Sequence, residues 1–237
     1  KYLYLVVTAL VGCGVLLSSC SDDKIEGDSI FSTAPVQRNP FDQWLYKNYT
    51  MPYNIEFQYR LKTEETDQAY NFVPADSAKS VKLAILTKYM WFDAYAETVG
   101  LDFVKENSPR IIVVTGTPGY TRYRTEVIGS AEGGYKVRLG KVNALTDDQL
   151  KDYGSMTNYY FHTMHHEFMH ILNQKKPYDE SYDNISRSDY VSGNWTSIPD
   201  KKAQSMGFIS AYSMENPAED IAELYSIYVT STPQDWA

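Results

Sequence analysis

The sequence predicts one α+β domain. Strand-like runs and helices share the first part of the chain, two strong helical patterns fill the last part, and no internal repeat is evident. The third observation is size. A chain of 237 residues, 43% of them hydrophobic, suits one mid-sized domain with a continuous core once a leader is removed.

Each element carries its own signal. Phe41 to Tyr49 reads as a short amphipathic helix. From Ile55 to Leu61, the apolar Ile55, Phe57, Tyr59 and Leu61 alternate with Glu56, Gln58 and Arg60, the pattern of a half-buried strand. Asp76 is placed to cap a helix through Val81, Leu83, Ile85, Leu86, Tyr89, Met90 and Phe92 to Val99, with Gly100 as its stop. Arg110 to Thr115, with Ile111-Ile112-Val113-Val114 at its centre, reads as a buried strand. Two runs, Tyr123 to Gly129 and Tyr135 to Val142, flank Glu132-Gly133-Gly134 as a hairpin. Tyr159 to Gln174 and Ala218 to Thr230 are the last two helices.

Ahead of the domain, expected at residues 41–237, the first forty residues divide in two. Tyr2 to Leu17 is uncharged and almost wholly apolar, follows Lys1, and is too short for a comfortable membrane span, so residues 1–19 read as a secretory signal peptide. Leu17-Ser18-Ser19-Cys20 matches the lipobox of bacterial lipoproteins. That resemblance implies a diacylglycerol on Cys20, which becomes the mature N-terminus, while Cys13 is discarded. Ser21-Asp22-Asp23 resembles the surface-export signal of some Gram-negative lipoproteins, so the expected location is the outer membrane, lipid-anchored, facing the cell surface or the periplasm. Residues 20–40 are rich in Asp, Ser and Pro without periodicity and read as a flexible tether. Lys1 in place of Met, and a last residue, Ala237, close behind a helical pattern, give the expectation of a fragment.

Composition excludes several functions. The net charge is -8 and no basic run stands out, which argues against a nucleic-acid partner. Cys13 and Cys20 are the only cysteines, so the body has no disulfide, no thiolate nucleophile and no cysteine metal ligand. Twenty-one tyrosines suit a surface that handles peptides or sugars, and equally an aromatic core.

The chemistry is concentrated between residues 162 and 223. His166, Glu167 and His170 form H-E-x-x-H within an apolar helical pattern. Residues four apart on a helix are separated by about 40° around its axis, so both imidazoles project from one face and can grip one metal ion. Glu167 then faces the attacking water as general base. His162 and His165 share the helix but fall outside this spacing and read as packing or rim residues. A catalytic zinc needs a third protein ligand and an open position. Asn173 and Lys176 stand where an extended three-histidine motif would need glycine and histidine, and no histidine follows His170. The third ligand is therefore oxygen, with Glu215, Glu219 and Glu223 as candidates on the residues alone.

Tyr212 to Glu223, Y-S-M-E-N-P-A-E-D-I-A-E, resembles the glutamate-zinc class of H-E-x-x-H peptidases, and in particular the catalytic domain of anthrax lethal factor. The resemblance implies Glu219 as zinc ligand, Tyr212 seven residues earlier as oxyanion stabiliser, and Glu223 four residues later as a carboxylate orienting a histidine. Asn216 or Ser213 with Pro217 supplies a helix start for this segment. The lipobox, the H-E-F-M-H-I-L run, the E-D-I-A-E run and Phe41 to Tyr49 followed by Pro52-Tyr53-Asn54-Ile55 together resemble the substrate import-associated zinc metallohydrolase lipoproteins, a zinc-binding metallopeptidase family. What this implies is a zincin-like domain, a Zn2+ cofactor, hydrolysis of a peptide or other amide-bearing substrate, and association with a TonB-dependent importer and its surface lipoprotein. The rival expectation is a non-catalytic surface lipoprotein that captures nutrients and keeps the metal only as structure.

Overall fold

The computed structural model describes residues 37–65, 70–120, 126–132 and 134–236. The signal peptide, Cys20, the tether up to residue 36 and residues 121–125 lie outside the described residues. Among the described residues no helix is long and apolar enough to cross a membrane.

The structure is α+β, as the sequence predicts, with a small mixed sheet backed by helices. Helix α1 (Pro40–Leu45) starts on an Asn39 capping box shared with Asp42, passes through a π-helical turn at Tyr46–Thr50 and ends as Met51–Tyr53. It is longer than the expected Phe41 to Tyr49, because the helical backbone continues through the π-turn to Tyr53, where Asn54 at φ 56° ends it. Strand β1 (Glu56–Gln58) is shorter than the alternating pattern, although Ile55, Phe57 and Tyr59 are all buried as the alternation requires. Helix α2 (Ser77–Thr87) is capped by Asp76, and its axis continues through a π-helical turn at Lys88–Asp93 into Ala94–Val99. Gly100, at φ 100°, ends that run, yet a further helix that the sequence pattern did not suggest, α3 (Leu101–Asn107), begins at once.

Strand β2 (Ile111–Val114) is parallel to β1 on one side and to a later strand on the other, and Ile112, Val113 and Val114 are fully buried. A β-branched run without alternation is what a central strand covered on both faces requires. The short strands β3 (Gly119–Tyr120) and β4 (Glu126–Val127) pair with each other. The expected hairpin exists between β5 (Gly129–Glu132) and β6 (Lys136–Leu139), but its first arm lies later than the expected Tyr123 to Gly129. The turn signal was read correctly. The arm lies later because Gly129 begins the strand rather than ending it, and Glu126–Val127 pairs with β3 instead. The four-stranded sheet has the order β1-β2-β6-β5, which leaves β5 as an edge.

Two helices complete the domain. Helix α4 (His162–Lys175) continues a helical approach through Tyr153–Met156 and a π-helical turn at Thr157–Phe161. Helix α6 (Pro217–Thr230) packs along it, and a short helix α5 (Asp200–Ser205) lies in the intervening segment. Behind α4, Phe168 is fully buried against Trp91 and Tyr95 of the α2 run, with ring centroids 5.6 and 5.0 Å away. These aromatic contacts fix the rotation of α4, so its histidine face is turned away from the core. On its front, α4 meets β5 closely. A side chain at Gly129 would sit 2.0 Å from Thr163 Cγ2, so only glycine lets this strand approach the helix.

A carboxylate and histidine ladder between two helices

Helix α4 forms because Met164, Phe168 and Ile171 recur at three- and four-residue spacing and are buried together. Helix α6 starts on Asn216, whose side chain accepts from the Ala218 and Glu219 amides at 2.9 and 3.1 Å, with Pro217 in the first turn. Of the two possible caps, Asn216 or Ser213, the structure uses Asn216. Ala222 and Ser226 are fully buried on α6, and such small side chains let two helices approach closely.

Along this contact His162, His166 and His170 form one ridge, each a turn after the last, and Glu219 and Glu223 form the facing one. His170 Nε2 lies 3.3 Å from Glu219 Oε2. His166 reaches both carboxylates: Nε2 lies 2.9 Å from Glu219 Oε2, and Nδ1 lies 2.9 Å from Glu223 Oε1. His162 Nε2 lies 2.7 Å from Glu223 Oε1. As α4 ascends from 162 to 170 its partner descends from 223 to 219, so the two helices run antiparallel at the site.

The donor set of His166, His170 and Glu219 fits zinc. Four ligands at about 2.0–2.1 Å around a tetrahedral zinc lie about 3.3 Å from one another. The three edges here are 2.9 Å, 3.3 Å and, between the two Nε2 atoms, 3.1 Å. Two imidazole nitrogens aimed at each other beside a carboxylate need a cation between them. Among the described residues this group and a second one, His162 with His166 and Glu223, bring three potential ligands together. The second group is already satisfied by hydrogen bonds around Glu223.

Protonation follows from the geometry. Burial works against ionising Glu219 and Glu223, but hydrogen bonds from the histidines outweigh it and hold both carboxyls well below the usual range. Ionised Glu223 can only accept, so His166 Nδ1 carries the hydrogen and Nε2 is left to face Glu219. Burial lowers the His166 pKa, yet the two carboxylates overcome it and raise it from 6.5 to about 9. Glu167 behaves differently: burial raises its carboxyl pKa, opposed by the charges of His166 and His170 and by a hydrogen bond from the Ala131 amide of β5. A carboxylate raised in this way is suited to accepting and returning a proton.

The ladder opens into a cleft of about 1070 Å³. One wall is the chain from Glu126 to Gly129, and the other is the segment Ser192 to Thr196. Between them lie His166, Glu167 and Tyr212. The Tyr212 ring stacks on His166 at 5.7 Å and meets Trp195 at 4.8 Å. Burial raises its pKa far above the usual tyrosine value, helped by the charge of Glu219 and a hydrogen bond to it, so the hydroxyl stays protonated and can donate. The Ser192 segment is tied down by Val191 N–H donating to Met214 O at 2.8 Å and by the Tyr190 hydroxyl donating to Asp220 Oδ2 at 2.9 Å.

The structure thus brings together His166, His170, Glu219, Glu223, Glu167 and Tyr212. Glu215 lines the cleft but stands outside the donor group, its Oε1 accepting from Ser192 Oγ at 3.3 Å. His165 is buried, held neutral by burial that lowers its pKa to about 4, and bonded through Nδ1 to the Tyr95 hydroxyl at 3.0 Å, a packing role as expected. His162 does sit at the rim of the cleft, as expected, but it also bonds Glu223, which the spacing did not suggest. The missed signal was H-x-x-x-H-E-x-x-H, in which a third histidine sits one turn earlier on the same face. Trp195 and Asp220 were missed as well. Neither carries a spacing signal of its own.

Comparison with known proteins points to the same metal. A family model described as "putative zinc-binding metallo-peptidase" matches residues 34–237. The crystal structure of a protein described in the same words, from Bacteroides caccae, is similar at 40% sequence identity with a TM-score of 0.69, covering 88% of this chain and 78% of that one. The search of curated proteins finds no match. Two histidines and a glutamate at the edges of a zinc tetrahedron, in a chain matched over residues 34–237, carry the conclusion that it belongs to this zinc-binding metallo-peptidase family and takes Zn2+ as its cofactor.

Proposed function

We propose that this chain is a zinc-dependent peptidase, cleaving amide bonds at the bacterial envelope where a lipid on Cys20 tethers it. The observation that carries the catalytic reading is that His166, one member of the donor group His166, His170 and Glu219, lines the cleft together with Glu167 and Tyr212, while Glu167 stands outside the donor group. A purely structural zinc would be closed by a fourth protein ligand. That consideration favours an enzyme over a non-catalytic capture lipoprotein.

When bound, zinc supplies Lewis acidity, lowering the pKa of water and polarising the scissile carbonyl. Glu167 takes the proton of the attacking water and returns it to the leaving amine, a task suited to its raised pKa. The Tyr212 hydroxyl, still protonated, donates a hydrogen bond to the oxyanion. Glu223 keeps the hydrogen of His166 on Nδ1. The envelope location rests on the Leu17 to Cys20 lipobox, and the link to a TonB-dependent importer rests on the resemblance of the motifs to import-associated lipoproteins.

The test is a peptide-library cleavage screen of wild type, chelator-treated protein and Glu167→Gln, with zinc measured by mass spectrometry. Wild type should carry one zinc ion and cleave, whereas Glu167→Gln should keep the zinc and lose turnover. A zinc-loaded wild type that cleaves no amide substrate would return the reading to capture.

A further inference from the structure

We infer that His162 is a positioning residue for His166, acting through Glu223. The inference rests on the zinc-site reading above and adds a residue to it. Glu223 Oε1 is shared by two imidazoles one helical turn apart, His162 Nε2 at 2.7 Å and His166 Nδ1 at 2.9 Å. Its other oxygen accepts from Ser210 Oγ at 2.8 Å. The two imidazole rings are nearly parallel, 18° apart, at 6.2 Å. Ser226 Oγ, from α6, lies 3.4 Å from the same His162 nitrogen and donates to the Glu223 carbonyl at 2.9 Å.

Consider what each donor does for a carboxylate that is almost wholly buried. Ser210 holds one oxygen and His166 the other, and neither prevents the carboxylate from pivoting about the bond they share. His162 adds a second direction at Oε1, so the oxygen facing His166 is fixed from two sides. It also draws charge from that oxygen. Without it, the full charge of Oε1 would fall on the His166 Nδ1 hydrogen, and the carboxylate would have to find another donor or tilt. Either response moves the imidazole whose Nε2 faces Glu219. His165 supplies an internal control. It is on the same helix and more deeply buried than His162, yet it bonds Tyr95 rather than Glu223.

The experiment measures zinc affinity of metal-stripped full chain by competition with a fluorescent chelator, and needs no substrate. His162→Met fills the volume without a donor and should weaken zinc about tenfold, the low end for an outer hydrogen-bond partner. His162→Gln keeps an N–H donor and should stay within about threefold of wild type. His165→Phe should lower the melting temperature and leave zinc affinity unchanged. In a Glu223→Gln background, His162→Met should have no further effect, because the path runs through that carboxylate. Equal zinc affinity for wild type and folded His162→Met, equal losses in the Met and Gln variants, or a full additive loss in the Glu223→Gln background would each overturn the inference. A wild type that binds no zinc would instead remove the site reading itself.

Discussion

Zinc and a proton compete for the same nitrogen of His166. In the metal-free chain, burial disfavours the imidazolium, but Glu219 and Glu223 prevail and raise its pKa from 6.5 to about 9. A histidine must be neutral to bind zinc, so binding at neutral pH expels that proton. At about pH 7 the expulsion spans about two pH units, which is roughly 100-fold in affinity or about 2.7 kcal/mol. The apparent zinc Kd should therefore tighten about tenfold per pH unit above about pH 7 and level off near about pH 9. Stability of the metal-free chain should move the other way. The folded pKa lies above the unfolded one, so the contribution is complete below the unfolded value of 6.5 and is lost as pH rises through about 9. Its upper bound is roughly 3 kcal/mol, and the depressed Glu219 and Glu223 share the same interaction. Those carboxylates add an acid arm, present above their unfolded values and lost as pH falls below them. Chelator competition across pH reads the first effect, and thermal melts of stripped protein read the second. A zinc Kd that does not change between about pH 7 and 9, with melts that stay level over the same range, would refute the reasoning.

Three further outcomes follow from the ladder and the leader. Glu219→Ala should lose most zinc, Glu223→Ala should weaken binding by roughly 10–100-fold, and Glu215→Ala should do little; full zinc in Glu219→Ala would overturn the ligand set. Tyr212→Phe should bind zinc normally and lose about 10²–10³ in turnover, as for one oxyanion donor; turnover equal to wild type removes that role. Cys20→Ser should abolish labelling by a fatty-acid analogue and release the protein from the membrane fraction, whereas unchanged labelling would sink the anchor.

The parts legible in the sequence are those where one local rule dominates. Ile111 to Val114 reads as a buried strand and is one, and Asp76 and Asn216 mark helix starts that the structure uses. His166, Glu167 and His170 were legible because helical spacing alone places them together. Glu219 and Glu223 were less so, since three glutamates within nine residues fit a zinc site equally until helix α6 is seen to begin at Pro217, after Glu215. Helix α3 escaped because Gly100 reads as a stop, while at φ 100° it also turns the chain into a new helix. The segment from 176 to 216 was illegible for another reason. It folds around a small cluster of Ala203, Phe208, Ala211 and Met214, with Trp195 packed beside it, through short turns that carry no long period. That segment forms one wall of the cleft, so the part of the site that faces substrate was the part hardest to read.

The antiparallel ladder also explains why Glu219 and Glu223, one turn apart and chemically identical, do different work. One helical turn on each helix is about 5.4 Å, so the contact has only a few discrete registers. Phe168 against Trp91 and Tyr95 fixes α4, and the small Ala222 and Ser226 fix how closely α6 lies on it. In the register that results, Glu219 faces two Nε2 atoms, while Glu223 faces one Nδ1 and the Nε2 of His162. Glu219 stands opposite two imidazole nitrogens whose protons a metal cation can replace, whereas Glu223 accepts from two N–H groups and is already satisfied. The core packing behind α4, remote from any substrate, thereby decides which glutamate can serve as a ligand and which can only hold a histidine in place.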